Sequence, residues 1–303
     1  MQNEVVSVIM CTYNGALFVK EQLDSILTQT YPSLEIIIAD DASTDDTWPL
    51  LQSYLTKDER IKLFRNEKNV GFNVNFSQAC EKATGDFIAI ADQDDIWEPQ
   101  KIAVLVDAIK ESNEIMLVHC ISARFEEKGK PHLRSLRLLN YFNGNDVRYF
   151  MLSNYVSGHN MLFRKELLKA SLPFPPNMYY DWWLVVYACV LGKVKAVEKV
   201  LVWHRMHQQN ATGAAKPKVP FYKQVQVVLS SIISIPALPI NQKNFAKKLY
   251  ELYQVFPEKE FSFALFQFLL KNAPYLLAYK KRSFPWISYL KYSLKYAKRS
   301  TNA

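Results

Sequence analysis

Four short apolar runs, each followed by polar residues and then by a segment with helical spacing, constrain this chain more than any other feature. The runs occupy residues 5–11, 34–39, 61–64 and 87–91. The β-branched and aliphatic character of the first two suits strands buried on both faces of a parallel sheet, where alternation disappears because neither face meets water. Between them, Leu17, Phe18, Leu23, Ile26 and Leu27 recur close to helical spacing before Pro32, and residues 48–55 and 72–83 read as two further helices. Such alternation predicts βαβ units and an α/β fold, with a mainly parallel central sheet flanked by helices. Ligands of such sheets gather at the carboxyl ends of the strands.

Those ends are where this sequence is most polar. Thr12-Tyr13-Asn14-Gly15 follows the first strand, Asp40-Asp41-Ala42-Ser43-Thr44-Asp45-Asp46-Thr47 the second, and Asp92-Gln93-Asp94-Asp95 the fourth. Three carboxylates within four positions, at the end of an apolar strand, call for positive charge. Asp oxygens are hard ligands, and Mg²⁺ or Mn²⁺ held by one or two carboxylates keeps sites for water or substrate phosphates. The plainer reading is a polar loop capping the helix that starts near Pro99. The three-glycine dinucleotide fingerprint and the phosphate loop ending in Gly-Lys-Ser/Thr are both absent, so any nucleotide is gripped by other means.

Downstream, residues 102–109 read as a helix, 115–120 as a strand and 121–150 as a loop or excursion. Residues 157–164 read as extended and 165–170 as a short helix, before Tyr179-Tyr180-Asp181-Trp182-Trp183 opens a helix to residue 191. A strand over 194–203 leads into the polar run 204–210, which could fold back over the site. With 49% hydrophobic and 14% aromatic residues, the 303-residue chain is expected to be packed and globular. Cys11, Cys80, Cys120 and Cys189 lack paired spacing, so they read as reduced core residues and suggest neither a zinc site nor a disulfide framework. No signal-peptide pattern is visible, and a cytoplasmic protein is expected. The net charge of +8 is unevenly spread: 22 basic face 26 acidic residues through Gly213, then 15 face 3, and no glycine follows Gly213. Two domains, 1–213 and 214–303, are expected on that basis.

In order, Val8-Ile9-Met10-Cys11-Thr12-Tyr13-Asn14, Asp40 to Asp45, Gly85-Asp86, Asp92-Gln93-Asp94-Asp95 and an aspartate opening a late helix resemble the inverting glycosyltransferases of family 2. The resemblance covers about the first 213 positions. Asp-Gln-Asp-Asp-Ile-Trp, with Asp181-Trp182-Trp183 and His207 to Asn210, is most similar to the rhamnosyltransferase branch. It implies a GT-A-type, Rossmann-like nucleotide-binding fold and roles for particular positions. Thr12, Tyr13, Asp40 and Asp41 would hold the nucleotide, with the Tyr13 ring stacking on a pyrimidine and Asp41 accepting from its imide. Asp94 would ligate the metal, Asp92 would lie near the ribose or the metal's waters, and Asp181 would be the catalytic base. His207, helped by Arg205, would sit over the diphosphate and metal, while His159, Trp182 and Trp183 would face the diphosphate or acceptor. An inverting transfer needs this division, because one carboxylate takes the acceptor proton while cations steady the departing diphosphate.

Each assignment has a structural rival. Asp41 and Asp45 suit turn and N-cap roles, Asp181 a helix cap, the tryptophans a core, and His159 a hydrogen-bonded interior. His119 and His132 read as structural. The chain also departs from the family. Phe76 stands where many relatives carry an arginine, so phosphate charge must be balanced elsewhere. Tyr180 replaces an acidic residue before the base, and the Gln-x-x-Arg-Trp element of processive synthases is missing, which favours transfer of one or a few sugars.

The tail interleaves aromatic and aliphatic residues with lysine and arginine between 275 and 298, the composition of helices lying in the headgroup region of an anionic membrane. The apolar run at 261–270 is too short to span a bilayer. A packed subdomain with a solvated basic face, or a homo-oligomer contact, is equally compatible. No nucleic-acid motif accompanies the charge, and no nucleic-acid partner is expected. The expectation is a metal-dependent inverting transferase at the inner membrane face. It would move a sugar, dTDP-L-rhamnose being the donor, to a glycan or lipid-linked saccharide in cell-surface polysaccharide synthesis. Alternatives are a UDP-hexose or UDP-N-acetylhexosamine transferase, a nucleotidyltransferase, or a catalytically idle membrane-associated adaptor.

Overall fold

The computed structural model describes residues 4–125, 141–207, 219–255, 261–280 and 284–298. The chain divides into two compact units, residues 1–144 with 156–207, and 145–155 with 208–303. The expected boundary at 213/214 lies outside the described residues, and residues 145–155 group with the C-terminal unit.

The first unit is built on one eight-stranded sheet, in the order β3-β2-β1-β4-β7-β6-β8-β5. Its strands are β1 (Val6–Thr12), β2 (Leu34–Asp40), β3 (Ile61–Arg65), β4 (Phe87–Ala91), β5 (Ile96–Trp97), β6 (Ile115–Phe125), β7 (Met161–Arg164) and β8 (Lys193–Arg205). Among the described residues six helices accompany them: α1 (Val19–Leu27), α2 (Thr47–Gln52), α3 (Phe72–Glu81), α4 (Lys101–Lys110), α5 (Lys165–Ser171) and α6 (Tyr180–Leu191). The first four strands pair in parallel, as their apolar runs predict, and every residue of β2 and β4 is buried. The core on one side of this sheet joins Val8, Met10, Ile36, Ile38 and Ala89 to Leu23 and Ile26 of α1 and to Ile102, Leu105 and Ile109 of α4.

Two features differ from expectation. β6 runs on to Phe125, where a loop is expected from residue 121. Its extension alternates buried Ile121, Ala123 and Phe125 with less buried Ser122 and Arg124, which is a strand covered on one face. The second is β5, which the loop reading conceals. It pairs antiparallel with β8, Ile96 opposite Trp203 and Trp97 opposite Val202. Because β4 lies mid-sheet and β5 at the far edge, the four-residue segment 92–95 crosses the mouth of the sheet. That crossing brings the carboxylates to the end of β8. Residues 126–140, including His132, lie outside the described residues.

The second unit comprises the helices α7 (Phe221–Ile233), α8 (Ile240–Gln254), α9 (Phe263–Lys271), α10 (Ala273–Leu276) and α11 (Pro285–Tyr296), with the 3-10 turn Val147–Phe150. Val147 N donates to Gln242 Oε1 (2.8 Å), and the Arg148 guanidinium lies 3.8 Å from the Tyr275 ring centroid. Among the described residues, no helix is long and apolar enough to cross a membrane.

Candidate active site

The loops after β1 and β2 are held together by side chains that sequence reasoning offers as ligand-binding groups. Asp40 is fully buried and accepts from Thr12 Oγ1 (3.0 Å), Ser43 N (2.9 Å) and Ser43 Oγ (2.5 Å), with Arg65 Nε at 3.4 Å. Asp41 accepts from Asn66 Nδ2 (2.8 Å) and from the backbone amides of Val70 and Gly71 (both 2.9 Å). Burial without such partners would cost several kcal/mol per carboxylate, so these bonds are what let the two aspartates sit at a strand end. Their carboxylates organise the loops at 43–47 and 66–71. Asn14 and Ala42 take positive φ, 47° and 58°, to let the chain turn there.

Tyr13 is 46% exposed, and its backbone is clamped by a residue the sequence reading leaves without a role. Gln93 Oε1 accepts from Tyr13 N (2.9 Å) and Gln93 Nε2 donates to Tyr13 O (3.1 Å). A side-chain amide so placed pairs with the main chain as another strand would. Gly15 lies against the same amide group, which occupies the space a Cβ would need. The clamp presents the Tyr13 ring beside the acidic cluster. Its only trace in the sequence is the position of a glutamine between two aspartates.

The four residues 92–95 have divergent surroundings. Asp94 pairs with His207 Nε2 at 2.7 Å, and both side chains keep some exposure, 14% and 17%. Burial, Asp92 and Asp95 together raise the Asp94 pKa above the usual carboxylate range, against the pull of His207. A carboxylate in that position favours a cation. Asp92 receives His159 Nδ1 at 3.0 Å; burial raises its pKa, but the hydrogen bond and charge of His159 outweigh this and leave it lowered. Asp95 is fully buried against His204 Nδ1 (2.9 Å), with His159 Nδ1 at 3.5 Å. His159 and His204 stack at 4.9 Å. Burial alone would depress His159, yet Asp95 and Asp92 lift its pKa to about 9.

Asp95, His159 and His204 place their ligand atoms within 4.8 Å of one another, so they too could hold a metal ion. Asp95 Oδ2 and His159 Nε2 are buried with no hydrogen-bond partner among the described residues. Asp94 and His207 are better placed for an ion that also meets a diphosphate, because both side chains border solvent. Beneath His159, Lys101 is fully buried, donates to the His159 carbonyl (2.7 Å) and lies 3.2 Å from the Trp97 ring centroid; burial lowers its pKa to about 7. Lysine at the start of an apolar helix gives no sign in sequence of such a position.

Arg205 is held by its neighbours in the protein. Its Nε donates to the Asp94 carbonyl (3.1 Å), it pairs with Glu21, and it lies between the Phe18 and Phe125 rings. It braces the turn that carries His207, whose ring also meets Phe18 at 4.5 Å. Trp182 and Trp183 are 5% and 7% exposed, and Trp183 Nε1 donates to Ser171 O (2.8 Å). The reading of both tryptophans as facing the diphosphate or acceptor is therefore corrected to a core role: on the helix turn after Asp181 they point into the protein. The exposed aromatics here are Tyr179 and Phe72, stacked at 5.7 Å. Phe76, at the family's arginine position, packs on Tyr180 at 4.5 Å.

Asp181 opens α6, accepts from the Trp182 amide (2.7 Å), and feels Asp92 and His159 across the site. Burial raises its pKa to about 6, with hydrogen bonds from the Trp182 and Gly158 amides moderating the rise. Gly158 has the Tyr180 hydroxyl where a Cβ would stand, so this close approach depends on glycine. His119 is buried and bonded to the Phe142 carbonyl (3.2 Å), and burial lowers its pKa to about 4.

Residues 7–172 match the family described as Glycosyl transferase family 2. An uncharacterised glycosyltransferase of Haemophilus influenzae is 28% identical over 280 residues, 82% of this chain and 85% of that protein. TuaG of Bacillus subtilis, a glycosyltransferase assigned to teichuronic acid biosynthesis, is 41% identical over 98 residues, 32% of this chain and 39% of that protein. The crystal structure of Staphylococcus aureus TarS 1–349 in complex with UDP-GlcNAc matches with a TM-score of 0.66 at 19% identity, covering 96% of this chain and 90% of that one. The likeness establishes the GT-A-like α/β fold. With more than half its length matched by the family, this chain belongs to glycosyl transferase family 2.

Proposed function

We propose that the protein transfers a single sugar, with inversion, from a nucleoside-diphosphate sugar to a hydroxyl group of a glycan or lipid-linked saccharide. The observation that carries this reading is a division of labour among carboxylates. Asp181 has a pKa near 6, poised to take a proton, while Asp94 with His207 forms a separate, cation-seeking pair. Asp181 would accept the proton of the acceptor hydroxyl as its oxygen bonds to the anomeric carbon. The bond from that carbon to the diphosphate oxygen breaks, and the nucleoside diphosphate leaves with the electron pair. A Mg²⁺ or Mn²⁺ ion on Asp94 and His207, when bound, supplies positive charge to the departing diphosphate. Tyr13, held by Gln93, offers its exposed ring to the base, and the loops organised by Asp40 and Asp41 wall the nucleotide pocket. Asp92, oriented by His159, faces the ribose or the metal's waters.

The Asp-Gln-Asp-Asp-Ile-Trp form favours dTDP-L-rhamnose as donor. A second reading, a UDP-N-acetylhexosamine donor, draws on the likeness to TarS, whose structure holds UDP-GlcNAc. Similarity to TuaG, named for teichuronic acid biosynthesis, supports a cell-surface polymer as acceptor. The sequence keeps Asp92, Asp94 and Asp181, which weighs against an idle adaptor. The test is a thermal-shift screen of dTDP-rhamnose, UDP-GlcNAc, UDP-glucose and GDP-mannose, each with Mn²⁺ and with EDTA, since a ligand of the folded state raises the melting temperature. A shift with one pyrimidine donor that needs Mn²⁺ is expected. No shift with any donor, in folded protein, would overturn the reading.

A further inference from the structure

Helix α11 is built inside out. Its inward side is occupied by Ser288, Ser293, Tyr289, Tyr292 and Tyr296, and its outward side carries Trp286 (66% exposed), Ile287 (48%), Leu290 (41%) and Leu294 (37%). At 100° per residue, those four apolar side chains fall within an arc of about 100°. A soluble helix normally turns such a stripe toward the core. Lys291 and Lys295, both exposed, continue around the helix from one border of the stripe, and Phe284, 63% exposed, stands just before it. From residue 261 to the end, the sequence holds eight basic residues and no acidic one.

We propose that this face of α11 is a docking surface for an anionic lipid bilayer, on which the helix lies parallel to the membrane plane. Trp286, Ile287, Leu290 and Leu294 would enter the boundary between headgroups and acyl chains, while Lys291 and Lys295 stay at the level of the lipid phosphates. Two alternatives fit less well. A helix of 12 residues is too short to span the bilayer. A second copy, in a two-fold dimer through the same patch, sets this patch's lysines against their own equivalents with no carboxylate in the segment to offset them. A bilayer carrying phosphatidylglycerol satisfies both the apolar stripe and the charge. This inference does not rest on the sugar-transfer reading.

The experiment is co-sedimentation of the full chain with vesicles of phosphatidylcholine alone, or with about a third phosphatidylglycerol, at low and high salt, with no nucleotide present. The wild type is expected to sediment with the anionic vesicles and to be released by salt, each neutralised lysine in K291Q/K295Q lowering partition about fivefold. L290S/L294S should lower it at least tenfold with an unchanged melting temperature, because both residues are exposed. The blue shift of tryptophan fluorescence on binding should vanish in W286F. No sedimentation at low salt, equal binding to neutral vesicles, or full binding by L290S/L294S would overturn the proposal. So would a dimer in light scattering that the same substitutions dissolve.

Discussion

Asp181 offers a test in which activity and stability move in opposite directions. Its pKa is about 6 in the folded protein against the ordinary value of 3.8, and the first cause is burial. For a carboxylate whose folded pKa is raised, the folded state holds the proton more tightly. The stability cost is therefore absent below about pH 4, grows between pH 4 and 6, and is complete above. Two pKa units correspond to about 3 kcal/mol, and the remaining exposure of the side chain reduces this to about 2 kcal/mol. Asp181→Asn keeps the shape and an acceptor for the Trp182 amide but carries no charge. It should melt about 4–8 °C above the wild type at pH 8, and at the same temperature near pH 3.5. Transfer should fall at least a thousandfold in the variant, and wild-type kcat/KM should decline below pH 6, to about a tenth at pH 5. The assay pairs melting curves across pH with release of nucleoside diphosphate in the presence of acceptor. If the variant keeps more than about a hundredth of the transfer rate, or melts no higher than the wild type at pH 8, then Asp181 is a helix-capping residue and the base lies elsewhere.

Asp94→Asn should lower Mn²⁺ affinity by more than a hundredfold in calorimetric titration, and His207→Ala by about ten- to a hundredfold; unchanged affinity in both would move the metal to Asp95, His159 and His204. Gln93→Ala removes two hydrogen bonds from the Tyr13 backbone and should cost about 1–3 kcal/mol in denaturant melts, with a raised KM for the donor and little change in kcat. Gly158→Ala forces the Tyr180 hydroxyl away from its place and should destabilise by about 1–3 kcal/mol, with kcat falling more than the donor KM changes. Wild-type melting temperature and kcat in Gly158→Ala would show that the close approach is not needed.

Much of the candidate site is legible in the sequence because its residues follow strands. Apolar runs end where Tyr13, Asp40, Asp41 and Asp92 begin, and a parallel sheet sends all such ends to one edge. Asp181 was legible as an acid opening an apolar helix. The tryptophans after it were not, since which side of a helix faces a pocket depends on what packs against it. Gln93, Lys101 and His204 escaped for the same reason. Their roles are contacts with residues 80, 58 and 109 positions away, and no local pattern encodes a partner so distant.

Local chemistry thus determined the strands and helices, the polar loops and the uneven charge, because hydrophobic period and turn preference act over a few residues. The tertiary structure decided which carboxylates are already satisfied, as Asp40 and Asp41 are, and which keep a reason to bind. It also decided that Asp181 rises to a pKa of about 6 while Asp92 falls. Burial and the nearness of opposite charge set those outcomes, and both exist only once β5 has crossed to β8 and the helix of Asp181 has docked.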